Sequence, residues 1–166
     1  MNFLSKIKNF SYNILKKENI YLFVLITIIF IFDRLSKLKI ISEFSESSYF
    51  VNDFINFDLV WNIGVGFGFF STNSNIIYNF ITAIIAFVII ILLYIFVTSR
   101  TLDKVIYATI IGGALGNFYD RLNYKAVPDF IDMHYNDFHW FTFNVADIFI
   151  TVGIILFIVK SFFVKN

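Results

Sequence analysis

No cysteine occurs in this chain of 166 residues, so disulfides, thiolate catalysis and thiolate metal sites are excluded. Histidine is nearly as scarce. His134 and His139 are the two present, a thin supply for a metal site, and both are expected to be partly exposed in a loop among aromatic residues. No metal and no cofactor is expected. A net charge of only +1 argues against nucleic acid as a partner. Charged residues make up 15% of the chain, whereas hydrophobic residues reach 58%, with a mean hydropathy of +0.76. A soluble domain is usually ~45–50% apolar, so this is a membrane composition, in a length that suits one domain. The abundance of phenylalanine, 24 residues, belongs to a wider Phe, Ile, Asn and Lys bias that carries no functional information.

Four apolar runs, about 20–41, 76–97, 105–122 and 145–164, are read as transmembrane helices across a ~30 Å hydrocarbon core. Four spans put both termini on one side. Lys6, Lys8, Lys16, Lys17, Arg100, Lys104, Lys160 and Lys165 fall on that side, while the loops at about 42–75 and 123–144 are acidic. By the positive-inside rule the termini are cytoplasmic and the acidic loops extracytoplasmic. Residues 1–18 space Phe3, Leu4, Ile7, Phe10, Ile14 and Leu15 helically among lysines, which predicts an amphipathic helix lying in the interface. No small-residue cleavage site follows it, so a cleaved signal peptide is disfavoured. In the first long loop, Phe57, Leu59 and Trp61 alternate with Asp58, Val60 and Asn62, as in a strand, before Gly64, Gly66 and Gly68. A small sheet on the membrane surface is expected there, with Tyr49, Phe50, Phe54 and Trp61 near the interface.

The chemistry is concentrated in residues 112–147. Asp120 and Asp147 lie within or at the ends of apolar segments, and Asp129 and Asp132 lie in the loop between them. An ionisable group at membrane depth costs at least ~2.5–3.5 kcal/mol, so such groups read first as functional candidates. Gly112 and Gly116 predict close helix packing. Asn117, Asp120 and Arg121 share one helical face, and must bond inside the bundle or line a wet cavity. Asp120 beside Arg121 is also readable as a structural ion pair, and Asp33 with Lys37 as a helix-end pair with a snorkelling lysine. Asn144, Asp147 and Thr151 share a stripe, although Asp147 at a helix start also suits a cap. Two carboxylates brought together share a proton, which supplies a base to activate water and an acid for the leaving amine. Residue chemistry leaves two classes open: an intramembrane aspartic hydrolase working with Asp129 and Asp147, and a proton-coupled transporter or channel subunit.

The blocks DRLSK at 33–37, NIGVGFGFF at 62–70, GGALGNFYDR at 112–121, VPDFID at 127–132 and FNVAD at 143–147 go further. In this order the chain resembles lipoprotein signal peptidase (signal peptidase II), a family of bacterial inner-membrane aspartic peptidases. The resemblance implies that Asp129 and Asp147 are the catalytic dyad. It implies that Asp33, Lys37, Asn62, Gly64, Asn117, Arg121 and Asn144 surround them, and that Asp120 is structural. It also implies a multi-pass fold with the active site near the outer leaflet of the bacterial cytoplasmic membrane and a sheet that cradles substrate. The implied substrates are prolipoproteins carrying a diacylglyceryl-cysteine, cut just before that cysteine, with membrane lipid and globomycin-type cyclic peptide inhibitors as further partners. Arg34 and Ser36 stand where the family usually has Gln and Thr, and little change is expected from them. Gly66 replaces a common Ala, and Pro128 stiffens the approach to Asp129.

Other classes fit less well. No internal repeat of the kind common in transporters relates residues 20–97 to 105–164. The G-x-G-D motif of presenilin-like and prepilin-peptidase-like proteases is absent, since G-V-G-F-G has no following Asp. A non-catalytic assembly protein would tolerate loss of Asp129 or Asp147.

Overall fold

A computed structural model describes residues 14, 16–44, 48–64 and 75–163. The expected interfacial helix over 1–18 and the positions Gly66 and Gly68 lie largely or wholly outside these residues. The apolar runs are helical: α1 is Lys17–Glu43, α2 Asn75–Thr98, α3 Thr101–Tyr124 and α4 Val145–Phe163. Three of them, α1, α2 and α4, are long and apolar enough to cross a membrane. Helix α3 has 24 residues, about 36 Å at 1.5 Å per residue, but carries Asp103, Lys104, Asp120 and Arg121.

The sheet is larger than the sequence suggests. Strands β1 (Tyr49–Asn52) and β2 (Ile55–Asn62) come from the first loop, and β3 (Val127–Tyr135) and β4 (Phe138–Phe143) from the second. They form one antiparallel sheet in the order β1-β2-β3-β4. Asn136, with φ 51°, turns β3 into β4; asparagine tolerates this left-handed conformation better than most residues. The β2–β3 register sets Val60 against Asp129 and Asn62 against Val127. This join between strands whose nearest paired residues, Asn62 and Val127, are 65 positions apart is what carries Asp129 to the helical bundle.

Helix α3 is the hub, touching α1, α2 and α4. Its small residues set the spacing. A Cβ on Gly112 would meet Ile29 of α1, and one on Gly113 would meet the Ala146 carbonyl of α4. Gly153 of α4 returns the contact against Ile110. Backbones brought this close let side-chain polar groups reach one another across the bundle. Helix α2 also faces the bundle: Tyr78 and Thr82 are buried, and Tyr78 Oη donates to the Arg121 carbonyl at 3.1 Å. Near the opposite end, buried Lys104 donates to Asn19 Oδ1 at 2.7 Å, and Lys160 pairs with Asp103.

Candidate active site

Helix α4 begins with a reciprocal cap. The backbone N–H of Asp147 donates to Asn144 Oδ1 at 3.1 Å, and the N–H of Asn144 donates to Asp147 Oδ2 at 3.2 Å. This satisfies donors that a helix start otherwise leaves orphaned. The capping role expected of a carboxylate here is therefore real, and it occupies only part of Asp147. The second oxygen, Oδ1, accepts from Asn117 Nδ2 at 2.8 Å.

Asn144 also reaches the sheet. Its Nδ2 donates to Asp129 Oδ1 at 2.6 Å, and Asn62 Nδ2 donates to Asp129 Oδ2 at 2.9 Å. Asn62 lies diagonally across the β2–β3 ladder from Asp129, on the same face, so strand register alone delivers this bond. Asp129 is 3% exposed. Burial, and then the nearby charge of Asp147, raise its pKa to about 7 against the opposing pull of the Asn62 and Asn144 bonds.

The remaining candidates join the same network. Asn62 Oδ1 accepts the Gly64 N–H at 2.8 Å, and Arg121 donates to the Gly64 carbonyl. Lys37, fully buried, donates to Asp33 at 2.8 Å, Asn117 at 2.8 Å and Asp120 at 2.7 Å. Asp33 Oδ1 in turn accepts the Ala146 N–H at 2.9 Å, another orphan donor of α4. Asp33, Lys37, Asn62, Gly64, Asn117, Asp120, Arg121, Asn144, Asp129 and Asp147 thus form one continuous hydrogen-bonded chain.

Three expectations need correction. Lys37 does not snorkel, because two carboxylates and an amide hold it inside the bundle. Asp120 does not pair with its neighbour Arg121. It binds Lys37 and Arg34, while Arg121 turns toward Gly64 and lies 5.6 Å from the Tyr78 ring centre. His134 is buried at 7% exposure; only His139 is exposed.

Arg34 is the residue that sequence reasoning undervalued. It pairs with Asp120, lies 4.8 Å from the Tyr119 ring centre and donates to Tyr124 Oη at 3.2 Å. Its signal was its place three residues before Lys37, on the same helical face.

A cavity of about 330 Å³ lies over the network, lined by Asn62, Asn117, Arg121, Asp129, Asp147 and Thr151 on its polar side and by Ile85, Ala114, Val127, Ile150 and Ile154 on its apolar side. A second, apolar hollow of about 230 Å³ shares Asp147 and Thr151 and adds Phe141, Phe143, Ile148 and Val152. Arg121 lines the first, and its buried Nη1 has no hydrogen-bond partner among the described residues. The arrangement offers two carboxylates in one cavity, one of them near its midpoint of protonation at neutral pH, with a guanidinium beside them.

A family model described as "Signal peptidase (SPase) II" matches residues 25–163. The lipoprotein signal peptidase of Pelagibacter ubique (strain HTCC1062) is 45% identical over 158 residues, covering 93% of this chain and 95% of that protein. The lipoprotein signal peptidase of Anaplasma phagocytophilum (strain HZ) is 36% identical over 148 residues, covering 86% and 92%. Two solved structures described as a bacterial membrane enzyme are also similar. That at 2.3 Å resolution superposes with TM-score 0.74 at 29% identity, covering 86% of this chain and 87% of that one. That at 1.9 Å gives 0.73 at 28%, covering 87% and 94%.

Proposed function

The chain belongs to the signal peptidase II family, and from that premise we propose that Asp129 and Asp147 are the catalytic pair with which it removes signal peptides from lipoproteins. It is a multi-pass membrane peptidase, which sets aside the reading as a proton-coupled transporter or channel subunit. The observation that carries the residue assignment is the double grip of Asn144, which bonds Asp129 through its side chain and Asp147 through its side chain and backbone.

The mechanism follows from the shared proton. The ionised member of the pair takes a proton from a water molecule, whose oxygen bonds to the scissile carbonyl carbon. The protonated member bonds the carbonyl oxygen as negative charge develops there. Collapse of the tetrahedral species breaks the C–N bond, and the amine leaves with a proton from the pair. The proton belongs to the pair rather than to one named residue. Arg121, anchored by Gly64 through one arm, lines the cavity and is the donor for a substrate carbonyl. Lys37 reaches Asp147 only through Asn117, so it positions the site and does not touch the reacting atoms.

The substrate is a prolipoprotein whose lipobox cysteine carries diacylglycerol, cut before that cysteine. The apolar hollow sharing Asp147 supports this, since acyl chains and peptide would meet at the carboxylate. Helix α3 is the fourth span. Its charges turn inward to Arg34, Lys37, Asn19 and Gly64 or pair at its first turn with Lys160, leaving Leu102, Val105 and Leu122 exposed to lipid. The lysines and arginine outside the apolar runs support cytoplasmic termini, with the pair near the outer leaflet of the cytoplasmic membrane. A globomycin-type cyclic peptide would occupy the same cavity as the substrate.

The test is cleavage of a diacylglyceryl-modified lipobox peptide by the detergent-purified protein. Wild type is expected to cut before the lipidated cysteine, and Asp129→Asn and Asp147→Asn to lose several orders of magnitude in turnover while remaining folded. Near-full activity in either variant overturns the assignment.

A further inference from the structure

The β3–β4 hairpin holds a second group of chemically competent residues, outside the cavity. Asp132 and His134 stand two positions apart on β3, on one face of the strand, and His139 on β4 is the direct partner of His134. The two imidazoles stack, with ring centres 5.4 Å apart. One ligand atom from each of the three residues lies within 4.8 Å of the others. Asp132 Oδ2 is 2.7 Å from His139 Nδ1 and 3.8 Å from His134 Nδ1.

A satisfied structural cluster would leave no donor or acceptor unused. Here the Nδ1 of His134 is buried without a hydrogen-bond partner among the described residues, although the residue is only 7% exposed. An orphaned buried nitrogen costs roughly 1–3 kcal/mol, so it calls for a partner that the protein chain does not supply. It is turned toward a buried carboxylate, and exposed His139 leaves an approach from solvent.

From this geometry we infer that Asp132, His134 and His139 form a binding site for a borderline divalent cation of the zinc, nickel or copper type. Two ligands at about 2.0–2.2 Å from zinc, at a tetrahedral angle, stand ~3.4 Å apart. The separations of 2.7 and 3.8 Å from Asp132 Oδ2 bracket that value, and all three ligand atoms lie within 4.8 Å of one another, so side-chain adjustment without backbone movement completes the set. Two imidazole nitrogens and one carboxylate oxygen favour such ions over magnesium or calcium, which prefer oxygen ligands. Binding uses the Nδ1 lone pairs, so the proton that bridges His139 Nδ1 and Asp132 Oδ2 in the metal-free protein is released and the ring protons reside on Nε2. The bound ion would tie β4 to β3, three residues beyond Asp129 on the same strand. The inference stands independently of the peptidase assignment.

The experiment is calorimetric titration of zinc into the tag-free, full-length protein in detergent, with magnesium as the contrasting ion. One equivalent of zinc is expected to bind, with magnesium neither binding nor competing. His134→Gln and His139→Gln are each expected to weaken zinc binding roughly 10-fold or more, since even outer-shell changes cost 10–100-fold. His139 is exposed, so His139→Gln tests the site without burdening the fold. Absence of saturable zinc binding by wild type, or unchanged affinity in folded His139→Gln, overturns the proposal.

Discussion

The Asp33 carboxylate lies directly against the Cα of Gly116, so that a Cβ on Gly116 would collide with Oδ2 and stand 3.0 Å from Cγ. A carboxylate of α1 thus occupies the space that a side chain on α3 would need. From there it accepts both Lys37 Nζ and the first turn of α4. Gly116→Ala should displace Asp33, destabilise the protein by about 1–3 kcal/mol as overpacking does, and reduce turnover. Gly64 is not part of this contact. Thermal unfolding in detergent beside a peptide-cleavage assay measures both effects, and unchanged stability would contradict the close approach.

Lys37 and Arg34 balance Asp33 and Asp120 within the bundle, two cations against two anions. Lys37→Met leaves one carboxylate charge uncompensated at a site with no exposure. Removing one member of a buried pair costs about 3–5 kcal/mol. The double variant Lys37→Met/Asp33→Asn should recover part of that loss, because the net charge of the group returns to zero. A double variant as unstable as the sum of its singles would show that the two residues are not coupled.

Asn144 serves two purposes that substitution can separate. Asn144→Ala removes the helix cap, for about 0.5–2 kcal/mol, together with the bond to Asp129. Asn144→Asp keeps a good cap but replaces the amide donor with a third carboxylate facing Asp129. Activity lost, with stability lowered as well because the added carboxylate is fully buried against Asp129, is the expected result for Asn144→Asp. Equal activity in Asn144→Asp and wild type would remove Asn144 from the positioning of the pair.

The pKa of Asp129 makes pH a further probe. Its ordinary value of 3.8 rises to about 7 in the folded protein. Between these values the folded state keeps a proton that the unfolded state has released. Stability contributed by this group therefore falls as pH rises from about 3.8 to about 7 and is level above. Activity needs one proton on the pair, so kcat/KM should decline on an alkaline limb with a midpoint near 7. Asn62→Ala removes a bond that holds the pKa down, and should move that limb to higher pH. A limb unmoved in Asn62→Ala would mean that it reports some other group.

Much of the site was legible because apolar surroundings make polar residues conspicuous. Asn117, Asp120 and Arg121 in a hydrophobic helix had to turn inward, and they do, toward Asp147, Lys37 and Gly64. The partners were less legible. Adjacent residues on a helix point about 100° apart, so Asp120 and Arg121 separate, and Asp120 meets Arg34 across 86 positions of sequence. His134 shows the same limit. Alternation gives its face of β3, but its burial depends on β2 and β4 flanking that strand and on the Phe54 carbonyl taking its N–H at 3.0 Å.

The sequence by itself determined that the chain is a membrane protein, where its long apolar helices run, and which acids were too costly to be incidental. Its ordered motif blocks pointed to the family. Those properties are local, set by hydropathy over a span and by residue type at a position. The tertiary structure decided that the second loop supplies half the sheet, that Lys37 is buried between two aspartates, that Asn144 ties Asp129 to Asp147, and that two histidines and an aspartate converge on one hairpin. These follow from how closely α1 and α4 approach α3 through its glycines and from the register of β2 on β3, and neither of those distances is encoded at any single position.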